Sequence, residues 1–406
     1  MNVVIAGPFG HGTLSDEALL AGLLRHLAAR KHEAVVLSAD PLRTEEIHGV
    51  NAVQSASPGS LLSNREFWNA LGKAHLLVLA SGGVISALGQ PPARSWLSVL
   101  EHAQIAGLQT AVVGIGALPI EDLKERARLQ RLLHHFAGGL STRDESSKRA
   151  LMGYGLGASS ISASGDPALV LGGAAPCTPE PSRIGIVLAQ SVPSRPGFGV
   201  EASPPSPSLL GAVQGLLREF LSQPATALTL FHDDNEPARE FVRLLTGAPP
   251  EARIKTQPAG CPLAQVQARM GECSAIFSLS LHGLILAAGV GVPVAGCAGE
   301  PGAAEFLEAL GLGRYALPIH EGAFASAEAA AALRELLGQA TELRQSMAAR
   351  MAGLRRKEAQ NERMMALLVP RRVTRERRKQ FSVKADQEAE GQDRPPPRAA
   401  RTRNRR

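Results

Sequence analysis

The feature that most constrains this chain is a pattern that runs once and then starts again. A short β-branched run ends in glycines and leads into a helix. The first instance is "NVVIAGPFGHGTLSDEALLAGLLRHLAARKHEAVVLSA" at residues 2–39, and the scheme restarts with "RIGIVLAQ" at residues 183–190. "NVVIAG" has the length and β-branching of a buried strand. Gly7, Gly10 and Gly12 then turn the chain. Leu19, Leu20, Leu23, Leu24 and Leu27 recur at helical spacing, and Thr13 or Ser15 can cap the helix they define. "EAVVLSA" is the return strand. A strand–helix–strand opening of this kind predicts a parallel α/β sheet.

The pattern continues through "AHLLVLASGG" and "QTAVVGIGAL", each a strand running into a glycine turn, with helices "RSWLSVLEHAQIAG" and "IEDLKERARLQRLLHHFAG" between them. "GLSTRDESSKRALMGYG" adds a short strand and a helix. "SSISASGDPALVL" closes the first half, where Asp166–Pro167 shapes a turn, and "GGAAPCTPEPS" reads as a linker. After the restart, "SVPSRPGFGVEASPPSPS" is too rich in Pro, Ser and Gly for regular structure and is expected to be a long loop. Strands "ATALTLFH", "ARIKTQ", "SAIFSLS" and "VPVAGC" then alternate with helices. The last helical stretch, a single helix or a broken pair, carries a buried stripe at Leu333, Leu336, Ala340, Leu343, Met347, Met351 and Leu354 and stops at Pro370. The expectation is α/β: two Rossmann-like parallel-sheet domains, 1–174 and 183–369, facing a cleft. This is similar to the GT-B arrangement of glycosyltransferases. Ligands in such sheets collect beyond the carboxyl ends of the strands.

Charge and composition narrow the class. The net charge of +6 is misleading, because residues 371–406 hold 13 Lys/Arg against 5 Asp/Glu and the remaining chain carries a net −2. The body is therefore no basic nucleic-acid platform, and no specific nucleic-acid partner is expected. The tail, 370–406, is poor in apolar residues and is expected to be disordered, solubilising or able to touch an acidic surface. No apolar run has membrane-helix length and the start does not read as a signal peptide, so a cytoplasmic protein is expected. Cys177, Cys261, Cys273 and Cys297 form no C-x-x-C pair, and no histidine cluster has zinc spacing. Free thiols and no metal are the reading.

Several stretches, in order, resemble the polysaccharide pyruvyl transferase family. "VVIAGPFGHGTLSDEALL" is similar to its opening strand, glycine loop and Gly-Asp-Glu helix start. "LVLASGGVIS" and "TAVVGIGALP" are similar to its Gly-rich strand ends. "LSTRDESSKRAL" and "SGDPALVL" resemble its Arg-Asp-x-x-Ser and Asp-Pro segments, and "SLSLHGLILAAGVGVPV" its Arg-Leu-His-Gly segment, over residues 1–320 in all. The resemblance implies transfer of a pyruvyl group from phosphoenolpyruvate to a sugar of a cell-surface or cell-wall polysaccharide, without a further cofactor. The acceptor would be a glycan or lipid-linked saccharide, and the site would lie at the cytoplasmic or inner membrane face. A GT-B-like nucleotide-sugar glycosyltransferase and a non-catalytic relative that binds glycan or a partner are the alternatives.

On that reading the opening loop serves the acceptor, because Asp16 and Glu17 in the first helical turn would repel a phosphate. Gly10, Gly12 and Glu17 lie there, with Gly82, Gly83 and Gly116 at neighbouring strand ends, and Asp16 is the candidate general base. A helix-dipole role is the plainer account of the two carboxylates. The G-x-x-G-x-G spacing is not the dinucleotide fingerprint. His282 is the candidate acid or phosphate partner at the donor side, with Ser280 and Gly283 beside it and His232 at another strand end. A structural histidine is the plainer reading of His282. Ser280 stands where the family has arginine, and Gln190 ends a strand that often ends in arginine. Neither supplies the charge that arginine brings to a carboxylate or phosphate. Arg195, Arg183 and Arg143 are the candidate replacements. Asp144 after Arg143, and Asp233 and Asp234 after His232, are also placed to cap helices.

Overall fold

A computed structural model describes residues 1–55, 64–81, 94–105, 107–134, 139–172, 179–180, 182–189, 205–246, 253–258, 260–299 and 302–368. The first half builds strands β1 (Asn2–Phe9), β2 (Glu33–Ser38), β3 (Asn51–Gln54), β4 (Leu76–Leu79), β5 (Gln109–Ile115) and β6 (Leu140–Thr142). Its helices are α1 (Leu14–Ala29), α2 (Pro41–His48), α3 (Arg65–Lys73), α4 (Arg94–Ile105), α5 (Leu123–His134) and α6 (Glu145–Gly153). The second half builds β7 (Arg183–Val187), β8 (Ala227–Phe231), β9 (Ile254–Thr256), β10 (Ala275–Ser278), β11 (Val294–Cys297) and β12 (Ala316–Leu317). Its helices are α7 (Pro207–Leu221), α8 (Glu236–Thr246), α9 (Leu263–Gly271), α10 (Leu281–Gly289), α11 (Ala303–Ala309), α12 (Ser326–Gly338) and α13 (Ala340–Leu367).

Each half holds a six-stranded sheet, ordered β3-β2-β1-β4-β5-β6 and β12-β11-β10-β7-β8-β9. Every pairing is parallel. The two orders are the same Rossmann winding, which reverses direction between β1 and β4 and again between β7 and β10. Buried strands such as β4 and β10 read as continuous apolar runs because helices cover both faces.

The helices begin where the sequence supplies a cap. Thr13 Oγ1 accepts the Asp16 N–H at 3.1 Å to open α1. Asp40 caps α2, with Pro41 in its first turn. The apolar face of α1 packs on a single 3-10 turn, Pro167–Val170, and on α10 from the other half. Leu14, Ala18, Ala168 and Leu169 therefore belong to the same buried cluster as Ile184, Ile186 and the second sheet. One apolar core runs across both halves.

The final helical stretch is a broken pair. α13 leaves the second half and returns to the first sheet, where Met364 and Met365 pack with Val3, Ile5 and Leu76. A buried polar node fixes it there. Glu358 and Asn361 are fully buried. His26 Nε2 is 2.6 Å from Glu358 Oε1. Asn361 Oδ1 accepts from Ser141 Oγ at 2.6 Å, and its Nδ2 donates to the Gly165 carbonyl at 3.0 Å.

Cys261, Cys273 and Cys297 are free, and burial pushes the Cys273 and Cys297 thiols up to about 12. These two are packing residues rather than nucleophiles. Among the described residues no helix is long and apolar enough to cross a membrane, and no cluster of His, Cys, Asp or Glu could hold a metal ion. Cys177, the loop at 190–204 and the tail at 370–406 lie outside the described residues.

Candidate active site at the facing strand ends

The described candidate residues sit at or just beyond the carboxyl ends of strands: Gly10, Gly12, Asp16 and Glu17 beyond β1, Gly116 at β5, Arg143 at β6, His232 at β8, and Ser280, His282 and Gly283 beyond β10. The ends of β1 and β10 are also the places where strand order reverses. Gly82, Gly83, Gln190 and Arg195 lie outside the described residues.

The opening loop is bonded to the turn after β8. The Asp234 N–H donates to the Gly12 carbonyl at 2.7 Å, and Asp234 pairs with Arg43 on α2 and Arg239 on α8. Gly12 takes φ +69, and a Cβ there would lie 2.4 Å from the Asp234 carbonyl oxygen, so a side chain is excluded twice over. The first N–H of α1, from Leu14, donates to Asp233 Oδ1 at 2.7 Å.

A carboxylate thus sits at this helix terminus beside Asp16 and Glu17. Both carboxylates have local partners. Asp16 Oδ2 accepts from the Thr13 hydroxyl at 2.6 Å, and Glu17 lies 2.5 Å from His48 Nε2. The helix terminus is then able to receive a carboxylate. Burial pushes Asp233 up to about 6, partly offset by the Leu14 N–H and then by His232 and His282.

A carboxyl with a raised pKa holds its proton more tightly in the folded chain. Its contribution to stability is fully present below the ordinary carboxylate range and is lost as pH rises through about 6. Asp233→Asn keeps the oxygen facing Leu14 and removes the titration. It should stabilise the chain by about 3 kcal/mol at pH 8 and about half that at pH 5. Urea unfolding at the two pH values measures this; an equal effect at both would contradict it.

Around β10 the local sequence explains the geometry. Ser280 Oγ accepts the Gly283 N–H at 3.1 Å and caps α10. Position 280 thus has a structural job that serine does well. A Cβ on Gly283 would lie 2.3 Å from Ser278 Oγ and 2.7 Å from Val187 Cγ1, so only glycine lets α10 start this close to the sheet.

His282, in the first turn of α10, has no exposed surface. Its Nε2 lies 3.1 Å from Asp166 Oδ2, a residue of the first half. Asp166 Oδ1 accepts the Ala168 N–H at 2.8 Å and caps the 3-10 turn. Burial pushes the Asp166 carboxyl up; the neighbouring His282, the Ala168 N–H and the Arg143 charge outweigh it and hold the group below its ordinary value. Arg143 is also buried, with Nε 3.2 Å from Asp144 Oδ2, and Asp144 caps α6.

His282 thus meets the carboxylate of Asp166, which also feels the Arg143 charge, and Asp233 feels His282. His232 is held elsewhere, with Nδ1 2.7 Å from the Asp233 carbonyl and Nε2 3.2 Å from the Gln257 carbonyl. Glu17 is engaged with His48, and Gly116 is a buried strand-end residue. The sequence suggests a turn role for Asp166, and for Asp233 either a helix cap or a place at the cleft. The signals available were the Asp-Pro step and the adjacent His232–Asp233.

This winding, doubled, is the GT-B-type architecture of glycosyltransferases and UDP-GlcNAc 2-epimerases. Within it the chain belongs to the polysaccharide pyruvyl transferase family, whose model matches residues 16–301. No curated protein matches in sequence. Among solved structures, UDP-GlcNAc 2-epimerase from Neisseria meningitidis bound to UDP-GlcNAc superposes with TM-score 0.61 at 13% identity, covering 91% of this chain and 100% of that one. S. aureus MnaA with UDP gives 0.58 at 13% identity, with coverage of 89% and 91%. A glycosyltransferase from Rickettsia africae gives 0.54 at 13% identity, with coverage of 94% and 98%.

Proposed function

We propose that this chain transfers a pyruvyl group from phosphoenolpyruvate to a sugar of a cell-surface or cell-wall polysaccharide. The family match carries the reading, because it spans both strand-end clusters, from Asp16 to His282. In ketal formation two sugar hydroxyls lose their protons. One proton ends on the methylene carbon, which becomes a methyl group, and the other leaves with phosphate. Two C–O bonds form at the adjacent carbon and its bond to phosphate breaks.

His282 is the acid for the methylene carbon or the partner of the leaving phosphate. Asp16 is the base for an attacking hydroxyl. Arg143 stands in for the arginine that Ser280 replaces, with Arg195 a second source of charge and Gln190 a neutral strand-end contact. Residues 1–174 serve the acceptor, a glycan or lipid-linked saccharide, and residues 183–369 the donor. His282 has no exposed surface, so donor reaches it when the two halves draw apart. The work is placed in the cytoplasm or at the inner membrane face, with the basic tail touching acidic groups and no cofactor beyond the donor substrate.

A second reading, nucleotide-sugar binding, draws on the fold shared with the epimerase bound to UDP-GlcNAc. Thermal-shift titration separates the two. Saturating phosphoenolpyruvate, at about 100 times its Kd, should stabilise the chain by about 2.7 kcal/mol while UDP-GlcNAc leaves it unmoved. The reverse outcome removes the pyruvyl reading. Stabilisation by neither ligand favours a non-catalytic relative in which Ser280 has become only a helix cap.

A further inference from the structure

We infer that Asp166 is the positioning residue for His282, and that the pair forms only when the two halves of the chain are together. The inference deepens the reading above and rests on it for the reaction served, though not for the pair itself.

The geometry separates the two oxygens of Asp166. Oδ1 caps the Pro167–Val170 turn, a job that Asn or Ser does as well. Oδ2 lies 3.1 Å from Nε2 of His282 across the boundary, with both side chains almost wholly out of solvent. A cap alone does not explain a buried carboxylate, because an uncompensated charge in that place is strongly destabilising. The charge is compensated by an imidazole from the other half, and the Arg143 charge adds to it.

Four charged or titratable groups face this pair or its neighbours. Arg143 comes from the turn after β6, and its charge is felt at Asp166. Asp144 sits beside Arg143. Asp233 lies beyond β8 and feels His282, and Glu358 on α13 feels Asp166. A carboxylate against Nε2 holds a proton there and favours the charged ring. The charged ring is the form that can give a proton to the methylene carbon, after which it is neutral.

The test is the ring titration of His282 in histidine-labelled full-length chain, its signal identified by its loss in His282→Gln. Asp166→Asn keeps the capping oxygen and removes the charge. At a fixed pH on the titrating limb it should lower the protonated fraction of His282 about tenfold, moving the midpoint to lower pH. Asp166→Glu should recover part of the loss. A midpoint unmoved in folded Asp166→Asn overturns the inference.

If Asp166→Asn does not fold, the unmodified chain decides through its ring-nitrogen chemical shifts. The neutral ring should carry its proton on Nε2; a proton on Nδ1 overturns the pair. Phosphoenolpyruvate binding to the unmodified chain keeps the two ideas apart. A shifted titration without donor binding leaves the pair and removes the pyruvyl reading. An unmoved titration with donor binding does the opposite.

Discussion

Replacing His282 with alanine should cost the protein its activity and much of its stability at once. Loss of a positioned proton donor lowers turnover by about 100- to 10,000-fold, read as acceptor-dependent phosphate release from phosphoenolpyruvate. The stability effect has a separate origin. Asp166 would be left buried without the ring 3.1 Å away, and removing one partner of such a pair costs about 3–5 kcal/mol. The two effects can be uncoupled. The double variant His282→Ala, Asp166→Ala removes the stranded charge and should recover part of the stability without recovering turnover. Full phosphate release by folded His282→Ala would sink the assignment of His282. Additive destabilisation in the double variant would show that the pair carries no coupling.

Asn361→Ala should be strongly damaging although it lies away from the strand ends. The side chain is fully buried and meets three partners: it accepts from Ser141 and donates to the Gly165 carbonyl and to Glu358. Truncation strands those groups in the interior, each at about 1–3 kcal/mol, so a loss of about 3 kcal/mol is expected in urea unfolding. The nearby Arg30–Glu362 pair is the control. It is half exposed, and Arg30→Ala should cost less than about 1 kcal/mol. Equal losses for the two variants would mean that the buried node does not anchor α13.

The elements legible in the sequence were those that bury an apolar face. β1, β4 and β10 are continuous apolar runs, and α1 carries its leucines at helical spacing. What escaped was structure with little to bury. In α2 only Thr44 is buried, and β3 pairs on one side only, with exposed Asn51 and Gln54 at its ends. Neither leaves a periodic trace. The strand-end residues His282 and Arg143 could be found from their position in the repeated pattern. The pairing of His282 with Asp166 could not, because it depends on how α1, the Pro167–Val170 turn and α10 pack. Ser280 could be read as a missing charge; its capping bond to Gly283 needed the backbone to be seen. The return of α13 to the first sheet was hidden for the same reason. Its stripe shows that something is buried and does not say against which half.

That return sets a schedule for synthesis. Ser141 waits for a partner 220 residues downstream, and His26 for one 332 downstream. At ordinary translation speeds the first of these intervals lasts on the order of 10 to 40 s. Through that time the first sheet can be formed on the ribosome with the patch for Met364 and Met365 uncovered and its polar node open to water. The nascent chain is at its stickiest while it looks most nearly finished, and the last described helix to leave the ribosome is the one that closes the first sheet.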